Sequence, residues 1–268
     1  QTDALDISSI NSDYTGYGVS CNGATDGSMD VTVTGGTGNY TYLWSNGETT
    51  EDLNGIGIGT YSVVATDENG CFIELPEFEI TQTEEMTISE THSNYAGYGV
   101  SCNGATDGSI DITVEGGTGV YTYAWNTGDT TEDLSDIGAG TYSVVATDEN
   151  GCDVSIEVEI TQPDEGIAIS ETHSDYTGYG VSCNGDTDGF IDVTVTGGTT
   201  NYTYSWNTGD TTEDLSDIGA GTYILNVSDE NGCSVSIEVE ITQPDALDIS
   251  SINYDYTGYG VSCNGATD

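Results

Sequence analysis

Lysine and arginine are wholly absent from these 268 residues, whereas Asp and Glu number 47, so the formal net charge is −47. A chain with no fixed cation cannot neutralise phosphates, which excludes nucleic acid as a partner. Anionic lipid surfaces repel it for the same reason. No run of about 18 apolar residues exists, so no segment inserts into a membrane as a helix. Any counterion must be a cation, and a hard divalent ion such as Ca²⁺ suits carboxylate oxygens best. The sequence also has little proline, three residues, and only two histidines.

High charge with modest hydrophobicity can signal disorder. Here 18 Tyr, three Trp and many Val and Ile supply core material. Their alternation with polar residues points to half-buried strands. Met29, Val31 and Val33 alternate with Asp30 and Thr32, and Tyr61, Val63 and Ala65 with Ser62 and Val64. Ile156, Val158 and Ile160 alternate with Glu157 and Glu159. Turn signals separate these runs, notably Asn69-Gly70, which suits a tight hairpin. No sustained 3.6-residue period is visible, and "TTEDLSDIG" reads as one helical turn or an irregular strand.

Trp44, Trp125 and Trp206 recur at an interval of 81 residues, as do Cys71, Cys152 and Cys233. The period is that of a small autonomous domain rather than a solenoid unit. It divides the chain into copies at 1–82, 83–163 and 164–244, with the start of a fourth at 245–268. Gln1 and the incomplete fourth copy lead us to expect an excerpt of a longer array. Six or seven short strands per copy, a Trp in "YTYxW" and a Gly59-Thr60-Tyr61 corner indicate an immunoglobulin-like sandwich. The expected fold is therefore all-β: tandem immunoglobulin-like β-sandwich repeats forming an extended fibre.

The pattern C-x-G-x-x-D-G-S-I, then G-G-T-x-x-Y-x-Y-x-W, a G-T-Y strand, D-x-N-G-C and I-T-Q-P resembles the SprB repeat of gliding-motility adhesins. It spans essentially the whole chain. The first copy departs from it, with Gln82-Thr83 in place of Gln-Pro and one extra residue in "ELPEFEI". The preceding "DYTGYGVSC" lies outside the pattern, so it inherits no role. The resemblance implies a very long protein of the bacterial outer cell surface, extracellular and driven by motility-motor partners outside this fragment.

Seven evenly spaced Cys suggest disulfides and an oxidising compartment. The simplest pairing is within each copy: Cys21–Cys71, Cys102–Cys152 and Cys183–Cys233, with the partner of Cys263 beyond the excerpt. In such a sandwich, however, the two Cys lie at opposite ends, and bridged Cα atoms must approach within about 7 Å. The alternative is a bridge between neighbouring copies, such as Cys21–Cys152.

Calcium is the candidate cofactor. Asn184, Asp186 and Asp188, with Asp192 shortly after, place alternate oxygen ligands around a glycine turn. Ala24 and Ala105 interrupt that run in the other copies. Asp67, Asp148 and Asp229 open the "DENG" turns and form a second candidate set, although turn chemistry alone explains them. His92 and His173 sit in equivalent "ETHS" stretches and read as surface residues. No catalytic constellation emerges, so no enzyme is expected. The pairs Tyr14/Tyr17, Tyr95/Tyr98 and Tyr176/Tyr179 suit packing against a neighbouring repeat or stacking on sugar rings. Two functions follow: a structural stalk whose partners are neighbouring repeats of the same chain, or repeats that bind polysaccharide or a substratum directly.

Overall fold

The computed structural model describes residues 3–251, so Cys263 and the fourth copy's Tyr256 and Tyr259 lie outside the described residues. The chain divides into two compact units, Gln1–Gln162 and Pro163–Asp268. The described residues form 18 strands, and no helix occurs among them.

The first copy contributes β1 (Asp6–Asn11), β2 (Gly27–Thr34), β3 (Thr41–Trp44), β4 (Leu53–Ile56), β5 (Gly59–Thr66) and β6 (Phe72–Ile80). They form two three-stranded antiparallel sheets, ordered β1-β2-β4 and β3-β5-β6. The chain changes sheets between β2 and β3, returns at β4 and crosses again at β5. That alternation is the hallmark of an immunoglobulin-like sandwich. In the second copy β7 (Glu84–His92), β8 (Gly108–Gly117), β9 (Tyr121–Trp125), β10 (Leu134–Ile137), β11 (Gly140–Asp148) and β12 (Asp153–Ile160) repeat the order. In the third, β13 (Ala168–His173), β14 (Gly189–Thr196), β15 (Thr203–Trp206), β16 (Leu215–Ile218), β17 (Gly221–Ser228) and β18 (Ser234–Ile241) do so again.

Each copy carries its own core. In the first, Met29 and Val31 of β2 meet Trp44, Val63, Ala65 and Ile80 of the facing sheet. Strand alternation produces this: inward residues are buried and their Asp and Thr neighbours point to water. The Trp indole nitrogens are not orphaned, because Trp44, Trp125 and Trp206 donate to the carbonyls of Thr50, Thr131 and Thr212 at 2.8–2.9 Å. The Tyr61, Tyr142 and Tyr223 hydroxyls donate back to Gly57, Gly138 and Gly219 at 2.9–3.1 Å, which makes them tyrosine corners.

The ambiguous "TTEDLSDIG" run is an irregular strand. β10 and β16 pair with β8 and β14 through a register shift. Asp136 and Asp217 take left-handed φ of 56° at the irregularity, where the first copy has Gly55. The extra residue of the first copy is absorbed as a bulge. Tyr61 pairs with Phe78 but Val63 with Leu75, so β6 gains one residue around Pro76. As the edge strand of its sheet, β6 tolerates a proline there.

Candidate functional site, the joint between copies

The loop before each first Cys closes the lower end of its sandwich. Val19 is fully buried in the core. The Gly18 and Val19 amides both donate to the Thr81 carbonyl just past β6. A Cβ on Gly18 would stand 2.8 Å from the Ile80 side chain and 3.2 Å from its Cα, so only glycine fits. Gly99 against Ile160 and Gly180 against Ile241 repeat the contact at 2.7 Å.

Motif residues pin the same end. Gln82, Gln162 and Gln243 accept from the amides of Gly23, Gly104 and Gly185 at 2.9 Å. Asn22 donates to the Thr83 carbonyl at 2.9 Å and Asn184 to that of Pro244 at 3.0 Å, which ties the loop to the outgoing linker. Asp26, Asp107 and Asp188 accept from the amides of Ser20, Ser101 and Ser182. Hydrogen bonds from those serines hold all three carboxyls below the usual aspartate value.

The second Cys of each copy sits at the other end, in the hairpin turn between strands five and six. There Asp67 accepts from the amides of Asn69 and Cys71 at 2.9 Å, and from the Thr37 amide and hydroxyl at 3.0–3.1 Å. Burial alone would raise the Asp67 carboxyl, but these donors outweigh it and hold it low. Asp148 and Asp229 cap the equivalent turns in the same way.

Cys21 and Cys71 are therefore separated by the length of β2, whose eight residues span about 24 Å at ~3.4 Å each. A bridge within the copy cannot close. Cys21 is instead bonded to Cys152, 131 residues away, with the Cα atoms 5.7 Å apart. The within-copy pairing that the sequence favoured thus gives way to the inter-copy alternative. The physical reason is that the Gly-rich loop is held at the lower end by Val19 and Gly18 and cannot carry its Cys back. Cys71 and Cys183 are exposed free thiols, while Cys102 and Cys233 are also disulfide-bonded.

Polar contacts surround the Cys21–Cys152 bridge. The Asn150 side-chain amide donates to the carbonyls of Tyr14 at 3.2 Å and Ser20 at 3.1 Å. The Thr15 hydroxyl donates to Asn150 Oδ1 at 3.0 Å. The "DYTGYGVSC" loop, to which the sequence assigned no role, is thus the donor half of a joint, and "DENGC" is its acceptor. Of the tyrosine pairs, Tyr14 enters the joint through its backbone carbonyl. The Tyr14–Tyr17 and Tyr95–Tyr98 segments form small antiparallel bridges.

The proposed calcium ligands are not gathered. Among the described residues no group of three or more His, Cys, Asp or Glu is arranged to hold a metal. Asn184 is committed to Pro244, Asp186 to the Ser182 hydroxyl and Asp188 to the Ser182 amide. Asp192 lies exposed on β14, opposite Thr172. Asp67, Asp148 and Asp229 already receive backbone donors where a cation would sit. The residues present do not fit a calcium cage. His92 and His173 are surface residues that contact only Glu90 and Glu171 of their own strands, at 2.9–3.0 Å.

Among solved structures, the chain resembles extracellular domains 3–5 of Drosophila OTK, at 11% identity over 77% of this chain and 86% of that one, with a TM-score of 0.31. The N-terminal eight immunoglobulin domains of Down Syndrome Cell Adhesion Molecule match at 12% identity over 76% of this chain and 33% of that chain, with a TM-score of 0.34. A tetra-tandem repeat from the extending region of a large adhesion protein matches at 15% identity over 91% and 75%, with a TM-score of 0.27. No curated protein matches. The SprB repeat model matches residues 19–49, 100–130 and 181–211. Each matched segment begins at the buried Val19, Val100 or Val181 and runs past the core Trp. With three matches spaced one period apart, the chain belongs to the SprB repeat family.

Proposed function

We propose that this is a structural stalk segment of a large bacterial cell-surface adhesin, extracellular and of the gliding-motility type. In this reading it carries load between the cell and a distant adhesive region and performs no catalysis. The observation that supports it is the Cys21–Cys152 bridge, which crosses from the lower end of one copy to the upper end of the next. Tension applied along the chain then bypasses the 131-residue stretch between the two Cys. That stretch would otherwise pay out roughly 430–470 Å at ~3.3–3.6 Å per residue. High negative charge suits the same role, because it keeps neighbouring filaments from associating.

The second reading, polysaccharide or substratum binding through the Gly/Tyr loops, competes for the surface that the joint occupies. Single-molecule pulling of the chain tests the stalk. Adding a reductant should lengthen the fully stretched chain by the withheld amount for this bridge. An equal contour length with and without reductant removes the proposal. Silence of the chain on a glycan array is the companion expectation, and saturable glycan binding would favour the second reading.

A further inference from the structure

The Cys21–Cys152 joint has a donor half, residues 12–23, and an acceptor half, the turn ending at Cys152. Both halves occur again without a partner. Residues 174–185 repeat the donor sequence letter for letter, and Thr66–Cys71 repeats Thr147–Cys152. Cys71 and Cys183, the two thiols of these orphan halves, are free and exposed. We propose that the Cys71 turn and the Cys183 loop are a complementary acceptor and donor, and that each takes the other from a second copy of this chain. A head-to-tail, disulfide-linked polymer results. The inference stands on the joint alone and holds whatever the array carries.

Three observations beyond the thiols support it. First, the loop is already in its docked shape when unjoined. Thr177 has a left-handed φ of 59°, as Thr15 has 48°. The Tyr176 amide reaches the Tyr179 carbonyl as Tyr14 reaches Tyr17. Docking therefore costs little ordering. Second, the unjoined loop shows what the joint would use. Tyr176 and Tyr179 are 39% and 41% exposed, whereas Tyr14 and Tyr17 are half-buried. The Thr177 hydroxyl turns to its own Tyr176 carbonyl at 2.7 Å, while Thr15 reaches Asn150. Third, the unjoined acceptor carries an uncovered apolar residue. Phe72 next to Cys71 is 70% exposed and lines a surface groove with Leu5, Gly36, Asn69 and Ile73.

The bond forms by two thiol–disulfide exchanges with a small-molecule disulfide such as oxidised glutathione. The Cys183 thiolate attacks it, making a mixed disulfide and releasing one glutathione thiolate. The Cys71 thiolate of the second molecule then attacks the Cys183 sulfur and expels the other. Two protein thiols are oxidised, one glutathione disulfide is reduced to two thiols, and the two protons go to solvent. The strong negative charge of both molecules makes association depend on salt near physiological strength, where screening beyond about 8 Å is effective.

The test uses the full chain with Cys263→Ser in every sample, at physiological salt and in a glutathione redox buffer. Half of the material is heavy-isotope labelled, so that links between molecules are distinguished from links within one. We expect a ladder of multimers on non-reducing gels. Peptide mapping with a glutamate-specific protease should find Cys71–Cys183 links in excess over like pairs, by about tenfold or more. C71S and C183S should each stop the ladder, and a mixture of the two should stop at dimers. Asn69→Ala should slow linkage several-fold without changing the rate at which a small thiol reagent labels Cys71. A chain that stays monomeric overturns the proposal. So does a statistical mixture of Cys71–Cys71, Cys71–Cys183 and Cys183–Cys183 links.

Discussion

Residues 12–23 and 174–185 have one sequence in two situations. The first loop is seated on the second copy and bonded to it, whereas the other ends in a free thiol. Their backbones agree, including the left-handed threonine and the glycine pressed against the last core isoleucine. What changes is the outer surface, namely tyrosine exposure and the partner of the threonine hydroxyl. Loop shape is thus fixed by its own sandwich, and the joint is added to a preformed surface.

The sharpest way to break that comparison is Cys152→Ser, which makes the first loop resemble the third. A bridge closing a 131-residue loop stabilises by about 4–5 kcal/mol in the chain-entropy account. Chemical denaturation of the first unit should lose an amount of that order, with the core of the third copy unaffected. A loss below about 1 kcal/mol would mean that the folded joint, not the covalent link, holds the copies together.

Gly18→Ala and Gly180→Ala come next. The new methyl would meet an isoleucine at 2.7–2.8 Å in both loops, and overpacking of this kind costs about 1–3 kcal/mol. Equal losses in the two variants support the view that seating is irrelevant to loop shape. A loss confined to Gly18→Ala would show that the joint imposes the shape.

Titration should affect all three copies alike. Burial and a hydrogen bond to the neighbouring Glu51, Glu132 or Glu213 push Tyr42, Tyr123 and Tyr204 up to about 12. Unfolded tyrosine ionises near pH 10, so the contribution is complete below about pH 10 and is lost as pH rises towards 12. On the acid side, Asp26, Asp107 and Asp188 have lowered values through their serine donors. Their contribution is complete above the unfolded value near 3.8 and disappears as pH falls through the folded one. Thermal melts across both ranges check this, and Glu132→Gln should soften the alkaline limb. A joint-specific pH response would appear as a difference between Asp26→Asn and Asp188→Asn.

Much of this was legible in the sequence, because a strand of period two leaves its mark on every turn. The 81-residue interval, the buried tryptophans and the tyrosine corners all followed from pattern. The joint did not. Asn150 contacts residues 130 and 136 positions away, and no local period encodes such a partner. One signal was available: two Cys fixed at opposite ends of a sandwich cannot meet. That geometric conflict pointed to the neighbouring copy, but the simpler count of pairs outweighed it. The acids misled in the opposite direction. Asp67, Asp148 and Asp229 have ligand spacing, yet their oxygens are taken by the amides of their own turns.

The smallest expected effect concerns the linker under the seated loop. Thr83 stands where the other copies have Pro163 and Pro244. It is 2% exposed, and its hydroxyl is the one buried side-chain polar atom among the described residues without a hydrogen-bond partner. The Asn22 side chain takes only the Thr83 carbonyl, so the hydroxyl gains nothing from the latch beside it. Thr83→Val keeps the shape and removes the orphan, which should stabilise the first unit by about 1 kcal/mol. Thr83→Pro restores the residue of the other copies and should add a similar amount by restricting the unfolded chain. Both gains should appear as a shift in denaturation midpoint at constant slope. If Thr83→Val instead lost stability, the hydroxyl would have to be satisfied by an ordered water, and the seated linker would be wetter than its neighbour at Pro163.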